Sequence, residues 1–184
     1  KVSLGIKNLK GLLDINSRKK CHSADPVKDL NFMVSRLPVR MPPIFTLIDG
    51  IYSNERGPSF DGKIRRKNLL IASNDILSAD LTGAKVLGFD PADVPHLVHA
   101  ARKEERPLDL SDIEIIGEKI EDVSSPHGYD FAYSETEDGI MPLPLARHGI
   151  KGLSYHKYDL SMCTYCSGLN GLVLTAIRGA WQGK

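Results

Sequence analysis

Two apolar runs, each ending in a segment that carries acids, constrain this chain more than any other feature. The first, IFTLI at residues 44–48, leads to Asp49 and a glycine-rich stretch, DGIYSNERGPSFDGK. The second, LLIA at residues 69–72, leads to Asp75 and a helical pattern that carries Asp80. Short continuous apolar runs read as strands buried on both faces. Acids delivered from strand ends into a loop or helix are how an α/β protein builds a site.

The neighbouring patterns agree. Val27, Leu30, Met33, Val34 and Leu37 recur at helical spacing, Pro26 suits a first turn, and Pro38, Pro42 and Pro43 end the run. A helix over 75–87 is expected, with Ser73 or Asn74 as cap and Gly88 as stop. Another is expected over 91–103, with Asp90 as cap. Residues 5–13 read as a strand end and turn, 52–67 as a polar loop, 113–117 (IEIIG) as a strand and 169–181 as a closing helix. The expected fold class is α/β: a mixed sheet flanked by helices, with an irregular C-terminal covering segment. At 184 residues one domain, 1–184, is expected, with 118–184 as a subdomain ending in a helix. Lys1 is not a methionine and KVSLGIKNLKGLL lacks a cleavable leader pattern, so the chain reads as a C-terminal fragment of a larger protein.

Bulk properties exclude several classes. The net charge of +1 offers no field for nucleic acid or an anionic membrane. The longest apolar run, near residues 168–177, is too short to span a bilayer and contains Asn170. Three cysteines, an odd number, argue against a secreted disulfide scaffold and for a reducing cytoplasm.

KNLKGLL at 7–13, LIDGIYSNERGP at 47–58, IASNDILSADLTGAKVLGF at 71–89 and IEIIGE at 113–118 occur in an order that resembles the domain-of-unknown-function family DUF362. The quoted stretches cover about the first two-thirds of the chain. The resemblance implies a mixed α/β fold and a part of the domain upstream of Lys1. It also implies iron–sulfur proteins among the members, next to ferredoxin-like modules. This chain departs from that last pattern, having no CxxCxxCxxxCP run. The resemblance carries no catalytic residue across.

Three constellations offer chemistry. Asp49, Asp75 and Asp80 bring oxygen ligands suited to Mg²⁺ or Mn²⁺, or an acid–base pair. Asp61 reads as a turn residue, Glu55 as solvated and Asp75 as a first-turn acid favoured by the helix dipole. Asp49 and Asp80, set among apolar neighbours, need a partner, either functional or structural. Cys163 and Cys166 form a CxxC pair that can bind a soft metal or form a redox disulfide. Cys21, His22, His148 and His156 are available to complete such a site. The third constellation is basic: Arg18, Lys19 and Lys20, with Lys63, Arg65, Arg66 and Lys67. It reads as a solvated surface or as an anion grip. His96 and His99 share a helix face without any HExxH pattern, and His127 reads as a turn residue.

These constellations support three functions. The first is a metal-binding or redox-associated domain, with an iron–sulfur cluster or zinc held by Cys163, Cys166, Cys21 and His22 and a ferredoxin-like module as partner. The second is an enzyme on a small anionic substrate, with Asp49, Asp80 and His22 as catalytic groups and Asp75 helping to hold Mg²⁺ or Mn²⁺. The third is a non-catalytic interaction module, recognisable by a broad apolar patch without converging polar groups. A merged site is also expected, in which Cys21 and His22 approach Asp49 or Cys163.

Overall fold

Asp75 and Gly88 punctuate the best-defined element. A computed structural model describes residues 2–23, 25–55, 63–127, 133–136, 139–153 and 164–182. In it the Asp75 carboxylate caps helix α4 (Ile76–Val86) by accepting the Ser78 N–H. Gly88 lies beyond the helix in the left-handed region, with φ of +77°. Before α4 come α1 (Gly5–Asn8), continued by a 3₁₀ turn at Leu9–Leu12, then α2 (Ile15–Lys20) and α3 (Leu30–Ser35). Strands β1 (Thr46–Glu55) and β2 (Lys63–Ser73) come after α3. After α4 come a 3₁₀ turn at Pro91–Asp93, α5 (Pro95–Glu104) and α6 (Ile120–Val123). The chain ends with β3 (Tyr133–Thr136), β4 (Gly139–Pro142), α7 (Leu143–Ala146) and α8 (Thr164–Ala180). The fold is therefore mixed α/β, as expected.

Several boundaries differ from expectation. Residues 5–12 are helical, not the end of a strand, because the buried Ile6 and Leu9 face the core at helical spacing. The helix expected over 25–37 shrinks to Leu30–Ser35, capped by Asp29. The polar loop expected over 52–67 is largely strand, since β1 runs to Glu55 and β2 begins at Lys63. Residues 113–116 are not in a strand.

The chain divides into two compact units. The larger comprises Val2–Ser53 and Arg65–His127. Its core joins Ile6 and Leu9, Leu30 and Val34, Leu77 and Leu81, and Leu97 and Ala101, so α1, α3, α4 and α5 pack on one another. No buried residue of that core comes from β1 or β2. The other unit comprises Asn54–Ile64 and Gly128–Lys184. In it β3 and β4 pair antiparallel, Tyr133 opposite Pro142, and Met141, Leu145 and Ile150 form a small core. Among the described residues no helix is long and apolar enough to cross a membrane.

In the larger unit a short segment after α6 closes over the end of α4. Ser125 N–H donates to Val86 O and His127 N–H to Leu87 O. Lys67 Nζ donates to Val123 O at 2.9 Å and to Ser125 Oγ at 2.7 Å. His127 Nδ1 lies 2.8 Å from Ser125 O, an atom that only accepts, so Nδ1 carries the proton. His127 Nε2 lies in hydrogen-bond contact with Ser53 Oγ at 2.7 Å.

Candidate functional site

Asp80 is fully buried on α4, and its partners are backbone amides. Its Oδ1 accepts the Gly5 N–H at 2.7 Å and its Oδ2 the Ile6 N–H at 3.0 Å. These are the first amides of α1, so the carboxylate holds a helix end more than seventy residues away in sequence. Burial pushes the Asp80 carboxyl up to about 7, against the pull of the two amides and of Lys7. This is the structural partner that its apolar setting required.

Asp75 is also occupied. Besides capping α4 it meets Arg106 Nη1 at 2.8 Å, while Arg106 Nε meets Asp112 at 2.7 Å and Nη2 donates to Ser78 Oγ. Burial alone would raise the Asp75 carboxyl, but the Ser78 N–H and Arg106 outweigh it and hold it below its ordinary range.

Asp49 sits differently from expectation. It lies within β1, not at its end, and is exposed, with Oδ1 accepting the Ile51 N–H. The reason is the pleat. An added Cβ at Gly50 would lie 3.7 Å from Leu69 Cβ, so positions 50 and 69 share one face. Gly50–Leu69 and Ser53–Arg65 neighbours run in opposite senses, making the hairpin antiparallel. Positions 46, 48, 50, 69 and 71 then form the inner face, where Ile71 reaches α4 beside Gly83. Asp49 belongs to the outer face, with Leu47, Ile51 and Leu70, which are 60%, 42% and 57% exposed.

Residues 1–85 match the family described as a domain of unknown function, DUF362. Over that segment, a little under half of the chain, the sequence is similar to the DUF362 family. The match ends inside α4, so the IEIIGE stretch lies beyond it. No curated protein and no solved structure matches the chain.

Within the DUF362 segment, Cys21 and His22 meet a residue that the sequence did not single out. Lys10, almost fully buried, contacts His22 Nε2 through its Nζ. Cys21 is buried and free; burial pushes its thiol up, against the opposing charge of Lys10. Position in a family-like segment was the only sign of Lys10, because a lysine beside a glycine ordinarily reads as surface. Among the described residues no three His, Cys, Asp or Glu side chains gather where a metal ion could be held. Cys163 and His156 lie outside the described residues, and the side chain of Cys166 does too. Three of the basic residues are spent locally: Arg18 on the carbonyls of Gly11 and Leu13, Arg66 on Asn68, and Lys67 as above.

The two edges of the β1–β2 sheet open onto grooves. One, of about 380 Å³, is lined by consecutive residues 44–49 and by Leu4, Gly5, Asn8 and Leu9. Neither Cys21 nor His22 lines it. Thr46, in its wall, keeps a buried hydroxyl with no hydrogen-bond partner among the described residues. The other groove, of about 150 Å³, is lined by consecutive residues 69–73 and 113–116.

Proposed function

We propose that this DUF362-like domain is an assembly module, whose two-stranded sheet is completed by polypeptide from outside these 184 residues. The observation that carries this reading is the outer sheet face, where Leu47, Ile51 and Leu70 stand exposed on paired strands. A lone two-stranded sheet is marginal in water, and an antiparallel sheet that leaves one face in solvent ordinarily carries polar residues on that face. An exposed apolar patch of this kind marks an interaction surface. The exposed Asp49 would then lie in the interface, available to a partner's donor.

The test is surface chemistry on the 184-residue chain. It is expected to bind an apolar-surface dye, and Leu47→Lys with Leu70→Lys should cut the fluorescence several-fold without lowering the unfolding midpoint. A wild-type chain that leaves the dye dark, or a double variant that unfolds early, overturns the reading.

A second reading concerns the thiols. Helix α8 begins at Thr164, which puts Cys166 in its first turn. Amides at a helix start lower a thiol pKa and favour the thiolate that binds a soft metal or exchanges disulfides. Zinc or an iron–sulfur cluster held by Cys163 and Cys166, with a ferredoxin-like partner, remains the proposal for that pair. Metal and inorganic sulfide assays on protein purified without oxygen test it. Absence of both, with freely alkylated thiols, would remove the metal.

A further inference from the structure

Successive side chains of a strand point to opposite faces, so a groove over one face is lined by every second residue. The groove beside β2 is lined by all of residues 69–73 and all of residues 113–116. It therefore runs along two backbone edges. Among the described residues β2 has one sheet neighbour, β1. Glu114, Ile115 and Ile116 make no backbone hydrogen bond to another described residue. The floor is α4, presenting small side chains, Ser78, Ala79 and Thr82. The charged lining residues are both acids, Glu114 and Glu118, and neither has an ion pair among the described residues.

We infer that this groove receives one extended polypeptide strand from outside these 184 residues, adding to the β2 edge and carrying Lys or Arg opposite Glu114 and Glu118. The inference rests on the assembly reading and deepens it. Main-chain hydrogen bonds supply affinity in such strand addition, and alternate side chains supply selectivity. Five residues of edge accept about 17 Å of strand. Aliphatic side chains at alternate positions fill the space above the small residues of α4. The positions between them point away from that floor, where lysines reach the two acids.

The probe is the capped heptapeptide Thr-Ile-Lys-Val-Lys-Ile-Thr, with its Glu-for-Lys counterpart as control, added to the full 184-residue chain. Amide hydrogen exchange is read at residues 69–73 and 113–116. The Lys peptide is expected to slow exchange in both segments, and the Glu peptide in neither. Glu114→Lys with Glu118→Lys should weaken the Lys peptide by about tenfold and admit the Glu peptide. That reversal also shows that the variant is folded. Protection by neither peptide overturns the inference, as does equal protection by both. Protection that appears without peptide and grows with protein concentration overturns it in favour of a second copy of the chain. Dye binding at Leu47 and Leu70 is untouched by these outcomes, so the assembly reading stands or falls separately.

Discussion

Gly5 lies against Asp80 so closely that a Cβ at Gly5 would sit 2.9 Å from Asp80 Oδ1. The same Cβ would meet Thr46 Cγ2 and Ile76 Cγ1, each at 3.1 Å. One backbone position thus separates α4 from β1 and receives the buried carboxylate. Gly5→Ala crowds three fixed neighbours, and overpacking of this kind costs about 2 kcal/mol. Urea unfolding should show that loss; an unchanged midpoint would mean that α1 is free to move away.

Asp80 and His96 give opposing pH dependences. The Asp80 carboxyl is raised from 3.8 to about 7 by burial, so the folded state binds the extra proton. Its contribution is fully present below about pH 4 and is lost as pH rises through 7. The His96 imidazole is lowered from 6.5 to about 3, by burial first and by Lys7 next. Its contribution is present above pH 6.5 and is lost as pH falls through 3. The two slopes cancel between about pH 4 and 6.5, leaving stability nearly flat there. Asp80→Asn should expose the acid-side loss, and His96→Gln the decline toward neutrality. Chemical denaturation at several pH values reads both, and parallel profiles for the two variants would sink the assignment.

Gly88 carries a positive φ, and an added Cβ would lie 2.6 Å from Pro126 Cα and 2.9 Å from Pro126 N. Backbone cannot give way as a side chain can. Gly88→Ala combines left-handed strain with this clash and should cost about 3 kcal/mol. Thermal unfolding should show a larger drop for Gly88→Ala than for Gly5→Ala.

Arg106 holds Asp75, Ser78 and Asp112 together beside the α4 start. Arg106→Met keeps the stem and removes every donor, and should cost about 1–2 kcal/mol. Amide exchange should quicken at Ser78 and around Asp112 while α5 stays protected. Faster exchange throughout would show a wider role.

Helix α4 was legible because its signals are local, helical spacing and a glycine stop, although its cap is Asp75 and not the expected Ser73 or Asn74. The strand expected over 113–117 did not form, because pairing depends on a neighbour that alternation cannot name. The apolar runs of β1 and β2 read as buried strands, since buried runs are what such sequences usually form. Here their outer face meets solvent, which is why Asp49 is exposed although its sequence neighbours are apolar. The need of Asp80 for a partner was legible in its setting. That the partner is a pair of amides at Gly5 and Ile6 was not, because backbone donors leave no mark in a sequence.

The segment that closes over α4 has a consequence for chain integrity. Residues 114–119 are exposed, whereas residues 123–127 are stitched to Lys67, Val86, Leu87 and Ser53. A protease that cuts between Glu114 and Lys119 would sever the peptide without releasing the pieces. The nicked protein should travel as one particle in native chromatography and separate only in denaturant, behaving as a complex of two complementary fragments.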